Sequence, residues 1–228
     1  MQPTLEEFFS RAWVVQSKSS KSINMDISNR CTLACPSCQR EEHLRVYGKV
    51  LGEALSIADF EKYLKHFNRF TFSGQVSDPV MHPHFKEILR KVIEYKAHAT
   101  VHNAATHRPM KWYKDIFEQC SHKNIIWYFA CDGLPKDSSK YRRRQDGEKM
   151  FEIMKLARQY MPNIVWKYIV FKYNQNDIET CKSMALDLGI SFNLVYSNRW
   201  PWLPEELKPE LEFQADIPMW NKTWHPNV

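Results

Sequence analysis

Three cysteines within eight residues, Cys31, Cys35 and Cys38, are the part of this sequence whose residue types and spacing could do chemistry. Thiolates bind iron and zinc, and an ordinary 4Fe-4S cluster takes four of them. Three thiols without an evident fourth would hold three irons of such a cluster and leave one iron open to another ligand. The alternative is a zinc site, which needs four ligands and could take His43 as the fourth.

An alternation of strands and helices predicts where these cysteines lie. The first predicted strand, Ile23–Ile27, ends just before Cys31. Further strands are predicted at 69–72, 99–101, 125–129, 165–171 and 190–195, with helices at 56–67, 83–98, 109–120, 148–160 and 177–188. Strict alternation predicts an α/β fold, a partial (β/α)6 TIM-like barrel with parallel strands. In such sheets the site lies beyond the carboxyl ends of the strands, which is where the cysteines fall.

The 228 residues predict one main domain with a segment at each end. Residues 1–22 form an N-terminal segment with an amphipathic opening and a Ser/Lys-rich connector, and residues 23–199 form the core domain. Residues 200–228 hold four of the eight tryptophans and five of the twelve prolines, which predicts an extended arm packed on the core. Sealing of the barrel is favoured over a lid on the site.

Composition and charge narrow the class of protein. Hydrophobic residues make up 43% of the chain, as in a folded globular protein. The sequence has no apolar run of the ~18 residues that a membrane helix needs, and no signal peptide is evident. Six cysteines, three of them in one motif, predict metal chemistry in a reducing compartment, hence a cytoplasmic protein. The net charge of +6 allows an anionic partner without requiring one.

The cysteine spacing resembles the signature of the radical S-adenosylmethionine (radical SAM) superfamily. Two later strand ends add to the resemblance: Ser73–Pro79 is similar to the family's Gly-Gly-Glu-Pro loop, and Ala130–Gly133 to its Ser-x-Asp-Gly motif. The chain departs from the family pattern at Ser37, where an aromatic residue is usual, and at Ala104 and Ala130. As a whole it looks like a minimal core domain similar to the peptide-modifying members.

The resemblance implies cofactors and residues that would hold them. Cys31, Cys35 and Cys38 would bind a 4Fe-4S cluster, and S-adenosyl-L-methionine would occupy the open iron. The residues that match cofactor-binding positions of the family are Gly74, Asp78, Asn103, Asp132 and Arg142. Members of the family reduce the sulfonium to generate a 5'-deoxyadenosyl radical that abstracts a substrate hydrogen. No catalytic residue beyond these is assigned.

The substrate is the least specified part of the prediction. A peptide or protein side chain is the first expectation, because the strand ends match peptide-modifying relatives. A nucleoside or nucleic-acid base is the alternative, supported by the basic run Arg142–Arg144 and by aromatics available for stacking. An alternative outside the enzymes is a non-enzymatic module that binds an iron-sulfur cluster or zinc and recognises a partner through the arm. The enzyme reading also requires an external electron donor of the flavodoxin or ferredoxin type, and no membrane partner is expected.

Overall fold

The computed structural model describes residues 14–16, 21–197, 203–214 and 220–224, with only the backbone considered at 14–16 and 220–224. These residues contain one eight-stranded sheet whose strand order follows the chain. The strands are β1 Val14–Gln16, β2 Ser22–Met25, β3 Arg69–Phe72, β4 His98–Asn103, β5 Ile125–Ala130, β6 Asn163–Ile169, β7 Ser191–Tyr196 and β8 Trp220–Trp224. Strands β2 to β7 pair in parallel, which confirms the predicted fold.

Helices connect the parallel strands. They are α1 Gln39–Tyr47, α2 Ile57–Leu64, α3 Phe85–Glu94, α4 Met110–Gln119, α5 Gly147–Tyr160 and α6 Ile178–Asp187. Helices α2 to α6 match the predicted ones, and Ser56 and Asp146 cap the starts of α2 and α5 by accepting backbone N–H bonds. The sequence reading missed α1 because this helix has no apolar stripe, and its one buried residue is His43.

The two faces of the sheet differ in polarity because side chains alternate along each strand. One face packs against the helices and carries large side chains that are 0–1% exposed: Phe70, Phe72, Trp127, Trp166 and Phe192. Burying each of them stabilises the fold by about 1.5–3 kcal/mol. The other face carries polar, half-buried side chains, including Thr71, Thr100, His102 and Lys167. The apolar face therefore holds the domain together, and the polar face is left for the interior of the partial barrel.

The two terminal segments contribute the edges of the sheet. Strand β1 pairs antiparallel with β2, and β8 pairs antiparallel with β7, so that the arm supplies an eighth strand that the sequence did not predict. The predicted amphipathic opening at residues 5–13 lies outside the described residues, as do 17–20, 198–202, 215–219 and 225–228. None of the helices in the described part of the chain is long and apolar enough to cross a membrane.

Candidate metal and cofactor site

The three cysteines lie beyond the carboxyl end of β2, in a segment that we call the cysteine loop, Cys31–Cys38. All three are half-buried free thiols. Ser37 adopts a left-handed conformation with φ 57°, which turns the chain so that Cys38 becomes the N-cap of α1. The positive end of the helix dipole at Cys38 favours a negatively charged ligand there. In the sequence, Ser37 stands where the family usually has an aromatic residue. In the structure, Ser37 forms the turn that leads into α1.

Burial makes two of these thiols weak acids. It raises the pKa of Cys31 to about 12, and the nearby carboxylate of Asp78 adds to the effect. Burial also raises the pKa of Cys35 to about 11, although the positive charge of Arg142 acts in the opposite direction. Both thiols are therefore protonated at neutral pH until a cation binds, and binding would release their protons.

Each cysteine has a predicted cofactor-binding element as its neighbour. The Cys38 thiol lies 3.7 Å from the carbonyl oxygen of Gln75, next to Gly74 in the loop after β3. Asp78 and Arg142 act electrostatically on Cys31 and Cys35 respectively. The structure thus brings the loops after β2, β3 and β5 together at one edge of the sheet, as the alternation predicted.

The neighbouring backbone leaves no room for a side chain at Gly74. A Cβ atom at this position would lie 1.5 Å from the carbonyl oxygen of Ser77, so any other residue would force the loop apart. The same loop is held by Asp26, whose carboxylate accepts backbone N–H bonds from Gln75 at 3.0 Å and Ser77 at 3.1 Å. Sequence reasoning missed Asp26, and its only signal was an acidic residue at the carboxyl end of the first predicted strand.

Asp78 is a structural link between two loops. It is 3% exposed, and its Oδ2 accepts backbone N–H bonds from Ala104 at 2.7 Å and Ala105 at 2.8 Å. Its Oδ1 accepts from Val80 N at 3.1 Å, and Asn103 Nδ2 lies 3.4 Å from the same oxygen. Burial raises the pKa of this carboxyl, and the hydrogen bonds lower it in part. Asp78 and Asn103 therefore join the loop after β3 to the loop after β4.

Asp132 and Arg142 form a buried ion pair. Arg142 Nε lies 2.8 Å from Asp132 Oδ2, with side-chain exposures of 12% and 0%. The other carboxylate oxygen accepts the backbone N–H of Ile169 at 2.8 Å, which ties the loop after β5 to β6. Burial raises the pKa of the Asp132 carboxyl, and the charge of Arg142 lowers it in part. The pair fixes one guanidinium nitrogen beside Cys35 and leaves the other donors of the fork for further contacts.

Two amides complete a chain of side-chain links that we call the rim, made of Asp26, Asp78, Asp132, Gln145 and Asn174. Gln145 Nε2 donates to the carbonyl oxygens of Ala104 at 2.7 Å and Ala130 at 2.8 Å. Asn174 Oδ1 accepts from Phe171 N at 2.7 Å. Asp26, Asp78, Gln145 and Asp132 join the loops after β2, β3, β4 and β5 and the end of β6, whereas Asn174 braces the loop after β6 internally. Such a network fixes the spacing of the loops before any ligand binds.

The candidate ligands can be compared with the needs of a zinc ion and of an iron-sulfur cluster. Among the described residues, no group of three or more His, Cys, Asp or Glu side chains converges on a point where a single ion could sit. A zinc ion needs all its ligands within about 2.3 Å of one centre. A cubic cluster needs less convergence, because each thiolate binds a different iron. His43, the proposed fourth zinc ligand, packs its ring against Tyr47 at 5.7 Å. The donor set, three half-buried thiols beside the cation Arg142, is chemically suited to an anionic iron-sulfur cluster.

Solved structures share this fold. SuiB from Streptococcus suis, bound to its precursor peptide SuiA, has a TM-score of 0.64 and 13% identity over 82% of this chain and 42% of SuiB. TYW1 with a lysine-pyruvate adduct bound has a TM-score of 0.58 and 12% identity over 83% of this chain and 67% of TYW1. No protein-family model matches the sequence, and no curated protein matches it.

SuiB and TYW1 therefore share the fold of this chain. At these identities the likeness concerns the fold, and this chain spans only 42% of the length of SuiB. The fold and the position of the cysteine loop thus agree with the resemblance seen in the sequence.

Proposed function

We propose that this chain is a radical SAM enzyme that acts on a peptide or protein side chain. The observation that carries the proposal is the triplet of half-buried thiols Cys31, Cys35 and Cys38 at the carboxyl edge of a radical SAM type of sheet. If bound there, a reduced 4Fe-4S cluster would supply one electron for the cleavage of S-adenosylmethionine, and the chemistry available to the site would be abstraction of a substrate hydrogen.

The protein's own residues bind and orient in this proposal. The three thiolates hold three irons, and the terminal nitrogens of Arg142 are suited to a carboxylate through paired hydrogen bonds. Gly74 keeps the loop after β3 folded close to Cys38, where backbone carbonyls can accept from an ammonium group. Asp78 and Asp132 act through the rim, because their carboxylates accept from neighbouring elements, and Asn103 supports Asp78 with its amide nitrogen 3.4 Å from Oδ1.

The peptide substrate rests on the comparison with SuiB, whose structure holds its precursor peptide. Two features count against the nucleic-acid alternative. Arg142 is buried in its ion pair, and the backbone carbonyl of Arg143 accepts the N–H of Ala34 in the cysteine loop at 3.1 Å. Within the run Arg142–Arg144, the side chain of Arg142 is engaged in the ion pair, whereas Arg143 and Arg144 are exposed. A few exposed cationic side chains give little affinity for the phosphate backbone of a nucleic acid.

The proposed enzyme would need an external electron donor and a reducing compartment. The cluster must be reduced from outside, so we expect a flavodoxin or ferredoxin type of partner. We also expect a cytoplasmic location, because all six cysteines are free thiols and clusters of this kind require reducing conditions.

The test is anaerobic reconstitution with iron and sulfide, reduction by dithionite, and addition of S-adenosylmethionine. We expect 5'-deoxyadenosine to form and the spectrum of the reduced cluster to change when S-adenosylmethionine is added. A variant with Cys31, Cys35 and Cys38 all changed to Ser is the matched control and should give neither signal. A well-loaded cluster that gives no 5'-deoxyadenosine and no spectral change would overturn the proposal. Stoichiometric zinc without iron or sulfide in the purified protein would support the zinc module instead.

A further inference from the structure

A second apolar cluster lies apart from the main core, on the side of the cysteine loop. We call it the arm cluster, and its buried members are Tyr141, Phe171, Leu203 and Leu207. Leu203 and Leu207 belong to the C-terminal arm and are 8% and 7% exposed. Cys35, Ile169 and Tyr173 pack against this cluster. The arm leucines therefore belong to the same apolar cluster against which one of the three candidate iron ligands packs.

The arm is anchored at this place by backbone hydrogen bonds. Lys172 N donates to the carbonyl oxygen of Leu207 at 3.1 Å, and Glu210 N donates to Gln175 Oε1 at 3.0 Å. Leu207 N closes a turn by donating to Pro204 O at 3.0 Å. These contacts attach the arm to the loop that follows β6. That loop is fixed in turn by the Asn174 link of the rim.

Aromatic rings fill the space between the arm and the site. The rings of Tyr141 and Phe171 stack at 4.2 Å, and Phe171 and Tyr173 stack at 5.7 Å. The guanidinium carbon of Arg142 lies 5.9 Å from the centre of the Tyr141 ring. Leucine side chains over a ring stack exclude water from the Cys35 side of the cysteine loop.

We propose that the arm segment Leu203–Leu207 is a fixed shield that keeps water and dioxygen away from Cys35. The part of this inference that concerns a bound cluster rests on the proposed function, whereas the shielding of the thiol does not. Removing water from one side of an iron-sulfur cluster disfavours the more negatively charged reduced form, because that form is the better solvated one. The arm thus tunes the potential of the site and protects it, and neither role requires the arm to move.

The first test uses the protein without a cluster. Leu203→Ala and Leu207→Ala are combined, and the alkylation rate of each cysteine by iodoacetamide is followed by mass spectrometry. We expect Cys35 to react several-fold faster than in the wild type, with the rate of Cys31 unchanged. Leu211→Ala is the matched control, because Leu211 lies on the same arm and is 85% exposed. The control should react like the wild type.

Two outcomes would overturn the shield. One is an unchanged Cys35 rate in a variant whose circular dichroism shows a folded chain. The other is an equal acceleration at all three cysteines, since that would mean general loosening of the loop. If the double variant does not fold, Leu207→Ala alone serves as the milder change, and Leu207→Met should restore wild-type protection because it keeps the volume of the side chain.

The second test uses the reconstituted protein. The arm variant should lose its iron-sulfur absorbance in air several-fold faster, and its midpoint potential should shift to a more positive value. Unchanged bleaching and an unchanged potential would overturn the tuning role. If the cysteines bind no cluster while Cys35 still gains reactivity in the arm variant, the proposed function fails and the shield on the thiol stands.

Discussion

The cysteine loop and the rim share one edge of the sheet but are held by different means. The rim is held by buried carboxylates and amides that accept from or donate to backbone groups of neighbouring loops. The cysteine loop makes fewer such links, among them Ala34 N to Arg143 O, and burial raises the pKa of two of its thiols, Cys31 and Cys35. The protein thus fixes the surroundings of the site itself and leaves the final order of the cysteine loop to the ligand that it binds.

The strongest test of this contrast is the loss of a single thiol. Cys35→Ser should reduce bound iron and sulfide from about four of each per chain to near zero, because a hydroxyl is a poor replacement for the thiolate that binds an iron of the cluster. Metal analysis after anaerobic reconstitution measures this. Cys181→Ser is the control, since Cys181 is buried on α6 away from the loop. Full iron binding by Cys35→Ser would show that the cysteine loop is not the metal site.

Breaking the ion pair should damage the rim most. Arg142→Met leaves the fully buried Asp132 carboxylate without its cation, which should lower the free energy of unfolding by about 3–5 kcal/mol. Urea denaturation of the protein without a cluster measures the change. The double variant Arg142→Met with Asp132→Asn should recover part of the loss. If Arg142→Met costs no more than Arg144→Met at the exposed neighbouring position, the pair does not hold the rim.

A smaller loss is expected where one acceptor is replaced. Asp78→Asn keeps the size of the side chain but replaces one carboxylate oxygen by a donor, so buried N–H groups lose their partner at a cost of about 2–3 kcal/mol. Denaturation again measures the cost, and Glu118→Gln on the exposed surface of α4 should cost less than about 1 kcal/mol. Equal effects of the two variants would mean that Asp78 contributes no more than a surface carboxylate.

The smallest effect is expected at His82, which follows the loop after β3 and is 1% exposed. His82 Nε2 lies 2.9 Å from Leu55 O, and burial lowers the pKa of this histidine to about 4 from 6.5. Between pH 6.5 and 4 the unfolded chain therefore binds more protons, and the free energy of unfolding falls as the pH falls. The slope is at most about 1.4 kcal/mol per pH unit from this group.

The difference between wild type and His82→Gln isolates this slope, because other titrating groups are common to both proteins. Denaturation at pH 7, 6 and 5 should show the difference in stability shrinking as the pH falls. A difference that stays constant with pH would show that His82 is not held neutral in the folded protein.

Several features follow from the sequence alone. Apolar periodicity located five of the six helices and the six parallel strands, because a strong period of two or 3.6 residues reflects which face is buried. The spacing of Cys31, Cys35 and Cys38 predicts a metal site with thiolate ligands, because three cysteines so close together seldom serve another purpose in a reducing compartment. The edge of the sheet on which the site would lie also followed, since the carboxyl ends of parallel strands meet at one edge.

Only the tertiary structure decided how the site is built. Asp26 stood within a predicted strand and Asp78 in a predicted cofactor-binding loop, but their bonds to the backbone N–H groups of other loops appear only in the structure. Helix α1 has no apolar stripe from which it could be predicted. Strand β8 depends on pairing with β7, and the paired residues Tyr196 and Trp220 are 24 positions apart in the chain. The apolar cluster that contains Leu207 and packs against Cys35 likewise joins residues far apart in sequence. Periodicity records local burial, whereas these contacts depend on where distant segments meet, and that is set by the fold as a whole.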